Sequence, residues 1–294
     1  MGASLLGCAS APDAAPPPAP EVAPRAPASV IQARCDGGDQ GACADLGLRH
    51  LRGDGVPLDV ARATALLEGA CAAKVARGCA YLAGRLAAEQ QYDRAFTLAE
   101  RACAEGSHVG CHHLGEHYER GLGSTTRNPA RALALHDQAC RGGVLPACAS
   151  AASLHERGSG GKVDEPRAEA AYAKACDGGL TTACAPRARL IALRGHALHE
   201  PARALPIASA ACASGSSHAC GTVGLVSLYS TPADAGALAQ VERACREGHH
   251  AFCLELAVLM ADGRLPDDVP RRLTLLRTAC DAGWMDACAR LVGD

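Results

Sequence analysis

The chain has 294 residues with 29 basic and 31 acidic side chains, and a net charge of −2 offers neither a nucleic-acid footprint nor a polybasic membrane patch. Two Phe, one Trp and five Tyr leave any core to Leu, Val and Ala, which bury little apolar area each. No apolar run approaches the roughly 20 residues of a membrane-spanning helix. Cysteine gives the strongest pattern. Sixteen of the 17 form eight Cys-x7-Cys pairs: Cys35 and Cys43, Cys71 and Cys79, Cys103 and Cys111, Cys140 and Cys148, Cys176 and Cys184, Cys212 and Cys220, Cys245 and Cys253, and Cys280 and Cys288. Successive first cysteines lie 36, 32, 37, 36, 36, 33 and 35 residues apart, so the chain repeats one unit of about 36 residues. Stacked units form one continuous elongated core.

In chain order, the first feature is the unpaired Cys8. Leu5-Leu6-Gly7-Cys8 resembles a bacterial lipobox, which marks Cys8 for lipidation. Residues 1–8 are therefore expected to be a truncated lipoprotein-type signal remnant. Residues 9–29, rich in Pro and Ala, are expected to be a disordered, semi-extended tether. Residues 30–294 then form the repeat array, about seven repeats plus terminal half-units. Paired cysteines persist as disulfides outside the cytosol. The expected location is periplasmic or outer-surface, with a lipid anchor in a bacterial envelope membrane.

Within each unit, glycine follows the first cysteine by three residues in seven of eight cases, with Lys74 the exception. Leu and Ala run at helical spacing upstream, as in Ala61 to Leu67. The pattern predicts a helix, here termed B, whose last turn holds the first cysteine and which ends at a left-handed glycine. A second helix, A, carries the second cysteine early. It has a larger apolar residue three positions later and a small one at four, as in Leu46 and Gly47, Leu82 and Ala83, and Leu114 and Gly115. Helix A ends in a glycine loop such as Gly53-Asp54-Gly55-Val56. Asn128-Pro129 and Thr231-Pro232 read as the capped starts of B helices. Antiparallel helices joined by a tight turn bring each pair to disulfide distance, so eight local bridges are expected, within the pairs named above. Pro186 and Pro206 fall inside predicted helices, and Arg187 occupies the column of Leu46 and Leu82.

Motifs for chemistry are sparse. Ser159-Gly160-Gly161-Lys162 spells Ser-x-x-Lys, but in a glycine loop and without Ser-Asp-Asn or Lys-Thr-Gly. His113 and His117 lie four apart beside His112 and Glu116, a spacing that can place two imidazoles on one metal. No third ligand follows from spacing and a solvated face explains the group equally, so no metal or cofactor is assigned. Cys-x7-Cys repeated eight times favours structural bridges over zinc or redox chemistry.

The Ala-Cys steps, the Leu-Gly steps at Leu46-Gly47 and Leu114-Gly115 and the Gly-Asp-Gly-Val loop resemble the Sel-1-like repeat family, relatives of the tetratricopeptide repeats. The paired cysteines are similar to those of its disulfide-rich bacterial branch, typified by the Helicobacter cysteine-rich proteins. The resemblance covers about Val30 to Asp294 and implies an all-α, right-handed α-solenoid of antiparallel helix pairs, with helices A lining the concave side. Two functions follow, the first from the solenoid architecture and the second from the resemblance. The first is a non-catalytic scaffold that binds a protein or peptide on its concave face. The alternative is a β-lactam or cell-wall-fragment binder, or a weak β-lactamase-like hydrolase. Positions two, six and nine after the second cysteine share one side of helix A. They give a candidate binding face of Asp45, Arg49, Arg52, Tyr81, Arg85, His113, His117 and Arg120. Arg, His and Tyr in this mixture fit an acidic partner, held more strongly as histidine gains charge below about pH 6.5. The expected protein is a monomer, touches the membrane only through its lipid and binds no nucleic acid.

Overall fold

A computed structural model describes residues 26–192, 200–213, 215–231 and 234–293. Cys8, the signal-type segment 1–8 and the tether up to residue 25 lie outside the described residues. Among these residues the protein is all helix. The B helices are α1 (Ala28–Asp36), α3 (Val60–Ala72), α5 (Tyr92–Ala104), α7 (Pro129–Arg141), α9 (Glu165–Asp177), α11 (Pro201–Ala213), α13 (Ala235–Arg246) and α15 (Val269–Asp281). The A helices are α2 (Gln40–Arg52), α4 (Ala76–Ala88), α6 (His108–Arg120), α8 (Leu145–Arg157), α10 (Cys184–Ala192), α12 (Ser217–Ser230), α14 (Ala251–Ala261) and α16 (Met285–Gly293). Each helix packs on the next, which makes a stacked α-solenoid. Helix α1 begins at Ala28, two residues inside the segment read as tether.

One turn geometry recurs eight times. The residue three after the first cysteine donates its N–H to that cysteine's carbonyl, and the next N–H reaches the carbonyl just before it. In the first turn these donors are Gly38, to Cys35, and Asp39, to Arg34. This pair of hydrogen bonds closes a helix C-terminus around a left-handed residue. Gly38 has φ +91°, and Lys74 adopts +62° where the other seven turns have glycine. The same turn opens helix A: Asp39, Ser107 and Ser216 accept from the backbone of Ala42, Gly110 and Ala219.

The cysteines thus sit in the last turn of B and the first of A, and each is bonded to its partner eight residues away. Cys35 is bridged to Cys43, Cys71 to Cys79, Cys103 to Cys111 and Cys140 to Cys148. In the second half, Cys176 is bridged to Cys184, Cys212 to Cys220, Cys245 to Cys253 and Cys280 to Cys288. Their Cα separations run from 4.5 to 5.0 Å, within the range that a disulfide spans. Each bridge clips the B helix of one repeat to the A helix of the next.

The small column on helix A is where the following B helix crosses closely. A Cβ at Gly47 would lie 2.9 Å from Leu67 Cγ, and one at Gly224 would lie 2.7 Å from the Ala237 carbonyl. Two sequence expectations need correction. Pro186 does not interrupt a helix: a single 3-10 turn, Thr181–Ala183, precedes α10, and Pro186 falls in its first turn, where the missing N–H costs little. Thr231 closes α12, donating its N–H to the Ser227 carbonyl, and Asp234 caps α13 instead; Pro232 lies outside the described residues. Pro206 does lie inside α11; it is exposed and so is Ala202, whose carbonyl loses its helical donor.

Candidate functional site

The A helices form the inner layer, since α2 touches α4, α4 touches α6 and α10 touches α12, while the B helices make no contact of that extent with each other. On this side, α2, α4, α6 and the start of α8 enclose a cleft of about 1020 Å³. Asp45, Arg49, Arg52, Tyr81, Arg85 and His113 line it, together with Leu48, Leu51, Gly84, Ala88, Val109 and His112. Six of the eight residues read as a binding face are therefore brought together.

His117 and Arg120 are not. His117 is buried against α5, edge-on to the rings of Phe96 at 5.7 Å and Tyr92 at 6.4 Å. Arg120 lies outside the cleft. Burial also lowers the pKa of His117, so it does not supply the charge expected to strengthen binding near pH 6.5. The sixth position after the cysteine lies where the inner wall meets the core. In α2 and α4 it holds the partly buried Arg49 and Arg85, and in α6 the buried His117. Spacing overlooked position five instead, which puts Leu48 and Gly84 in the cleft. Their i, i+3 relation to Asp45 and Tyr81 was the available signal.

The charges in the cleft are mixed. Arg77 holds Asp45 at 3.1 Å, and burial nevertheless pushes the Asp45 carboxyl up. Burial, with Asp45 nearby, raises Tyr81, so its hydroxyl remains a neutral donor. Arg85 donates to Glu89 at 2.7 Å and Arg49 to the Ala26 carbonyl at 2.7 Å, which leaves each guanidinium further N–H groups. On the far wall, His113 Nδ1 lies 2.8 Å from Glu116 Oε2, and His112 Nε2 lies 3.9 Å from Glu116 Oε1. Burial holds His112 down at about 4. Burial alone would raise Glu116, but the His113 hydrogen bond and the charges of His112 and His113 hold it at about 2. Behind them, His112 Nδ1 meets His136 Nδ1 at 3.3 Å, and His136 Nε2 meets Glu119 at 3.2 Å.

The C-terminal half of the inner side is narrower, with a cavity of about 350 Å³ lined by Glu156, Arg189, Glu255 and Trp284. Arg189, buried to 2% exposure, is ion-paired with Glu156, and Tyr172 donates to the other oxygen of that carboxylate. Burial lowers Arg189 to about 10 despite the charge of Glu255. Trp284 and Phe252 flank the guanidinium at 5.2 and 5.9 Å. Across the gap, Arg157 donates to the Ala282 carbonyl and the Ser159 hydroxyl to that of Gly283 at 3.3 Å. Ser159 of the Ser-x-x-Lys run is thus committed to the last inter-helix turn, while Lys162 is exposed.

The Sel1 repeat family model matches four segments, residues 41–75, 69–107, 108–144 and 145–180. Over 90% of this chain the fold is similar to the crystal structure of a protective antigen present in uropathogenic Escherichia coli strains displaying an SLR fold, at 20% identity and a TM-score of 0.55. The chain spans 58% of that protein's length. A Sel1 repeat protein from Oxalobacter formigenes is also similar, at 20% identity over 90% of this chain and 79% of its own, TM-score 0.48. So is one from Klebsiella pneumoniae subsp. pneumoniae, at 22% identity over 68% and 99%, TM-score 0.49. No curated protein matches the chain. Consecutive Sel1 repeats therefore make up residues 41–180 of this chain, and one disulfide at each turn fits the cysteine-rich branch of that family.

Proposed function

We propose that this protein is a non-catalytic envelope scaffold, lipid-anchored through Cys8, that holds an acidic peptide or protein segment in the cleft between α2, α4 and α6. Sel1 repeats generally mediate protein–protein interaction, and the eight bridges fit an oxidising compartment. Among the described residues no helix is long and apolar enough to cross a membrane.

The observation that carries this reading is the contrast between the two halves of the inner surface. One half is narrowed to a cavity of about 350 Å³ by the protein's own Arg189, Glu156 and Trp284. The other stays open and carries Arg49, Arg52 and Arg85 around Tyr81. A guanidinium with spare N–H groups grips a carboxylate in two-point fashion, and a Tyr ring adds area at low entropic cost. As a monomer the protein would present one such cleft.

The test is fluorescence anisotropy of labelled Asp/Glu-rich peptides against the full chain and against the triple variant Arg49→Ala, Arg52→Ala, Arg85→Ala. Binding to the parent should weaken with salt, and the variant should lose at least about tenfold in affinity, the cost of a few charge-assisted hydrogen bonds. Equal affinity for both, with circular dichroism unchanged, removes the cleft from consideration.

A further inference from the structure

We propose that His112, His113 and Glu116 form a binding site for one divalent transition-metal ion of the zinc class, set in the cleft wall. The three side chains come from a single helix. Glu116 stands four residues after His112 and three after His113, the two spacings that face each other on α6. Their ligating atoms all lie within 4.8 Å of one another. A tetrahedral zinc site with bonds near 2.0–2.1 Å spaces its ligand atoms at roughly 3.3 Å. The observed separations, 2.8 Å from His113 Nδ1 to Glu116 Oε2 and 3.9 Å from His112 Nε2 to Glu116 Oε1, straddle that value, so small side-chain rotations, with the His113 hydrogen moved to Nε2, close the site.

The proton pattern behind the site points the same way. Glu119 is an acceptor, so the His136 nitrogen facing it carries a hydrogen. His136 Nδ1 is then a lone pair, and it takes the hydrogen of His112 Nδ1. That leaves the lone pair of His112 on Nε2, the atom turned toward Glu116. Such an outer relay, ending in a carboxylate, is how metal-binding imidazoles are commonly oriented. Here Glu119 is held in turn by Arg157 at 3.2 Å.

The repeat itself does not require these residues. The same three positions hold Ala44, Asp45 and Leu48 in α2, and Ala149, Ser150 and Ser153 in α8. In α4 they hold Ala80, Tyr81 and Gly84, and the glycine makes room for the imidazole: a Cβ there would lie 2.7 Å from His113 Nε2. Two nitrogens and one oxygen favour Zn(II), Co(II) or Ni(II) over Mg(II) or Ca(II), which prefer all-oxygen shells. Three protein ligands leave a coordination position open, and His112 and His113 both line the cleft. The metal site stands apart from the peptide reading, since Zn(II) alone tests it.

The experiment is calorimetric titration of the metal-stripped full chain, its Cys8 thiol blocked, with Zn(II), paralleled by Co(II) followed by visible absorption. One ion per chain is expected, with the absorption of a tetrahedral Co(II) centre and no displacement by excess Mg(II). His112→Ala, His113→Ala and the near-isosteric Glu116→Gln should each weaken binding by about 10-fold or more. His136→Ala should cost about 10–100-fold through lost orientation. His117→Ala should change nothing, because that ring faces Tyr92 and Phe96. Absence of saturable binding in the parent overturns the proposal, as does undiminished affinity in folded Glu116→Gln, or displacement by Mg(II).

Discussion

At the scale of single residues, backbone and packing demands separate cleanly. Lys74 and Gln90, at either end of α4, are the described non-glycine residues with left-handed backbones, both at φ +62°. An L side chain there costs roughly 1–2 kcal/mol, partly offset by the greater unfolded-state freedom of glycine. Lys74→Gly should therefore stabilise the protein by about 0.5–1 kcal/mol, read as a higher urea midpoint. Gly47→Ala should do the reverse by about 1–3 kcal/mol, since its Cβ would press on Leu67 Cγ at 2.9 Å and the Ala63 carbonyl at 3.2 Å. Gly69→Ala meets only Gln40 at 4.0 Å and should stabilise α3 by about 0.5–1 kcal/mol. Histidine sets the acid limit. Burial, reinforced by the charges of Arg189 and His249, holds His218 well below its ordinary range, and burial also lowers His249. The unfolded chain then binds protons that the folded one refuses, so this contribution is complete above about pH 6.5 and is lost as pH falls below it. The urea midpoint should drop between about pH 7 and 5, and His218→Leu should flatten that drop. A parent midpoint independent of pH would show that these imidazoles protonate without cost to the fold.

At the scale of helices, α10 and α11 are the least supported pair. α10 has nine residues after a 3-10 start, and Pro206 removes a backbone bond from α11. Amide exchange at residues 184–192 and 201–213 should run faster than in α6 and α7, because neighbour contacts set protection in a stacked array. Equal rates would mean that tertiary ion pairs make up the difference. Sequence reasoning found the irregularity through Pro206 and the misplaced Arg187, while Pro186 sits in the first turn of α10 at little cost. It could not see that Arg187 stays partly buried by pairing with Glu169 at 3.2 Å and Asp177 at 2.9 Å. The helix pairs, the turn glycines and the small column were all legible, because each follows from a local rule repeated along the chain. His117 was misplaced for the opposite reason: its spacing is helical, but which neighbour covers that face depends on the tilt between repeats.

At the scale of the molecule, the same tilt decides what the inner surface becomes. Small rotations summed over successive repeats bring the loop after α8 onto the turn between α15 and α16, residues 124 and 125 apart in sequence. No periodicity in the chain announces that contact. It places the single Trp, Trp284, against Arg189, so fluorescence reports on it. The double variant Arg157→Ala, Ser159→Ala should shift Trp284 emission to the red and enlarge the radius of gyration by X-ray scattering. Unchanged emission and size would mean that the Arg189 cluster alone holds the two ends. The bridges obey a different logic, since each joins cysteines only eight residues apart. A chain threaded end-first into an oxidising compartment can therefore lock each turn as soon as it emerges, before the next repeat arrives. No cysteine has to wait for, or choose among, partners still to be delivered. The contact between Arg157 and Ala282 can form only once the last repeat is present, so the local bridges need not wait for it.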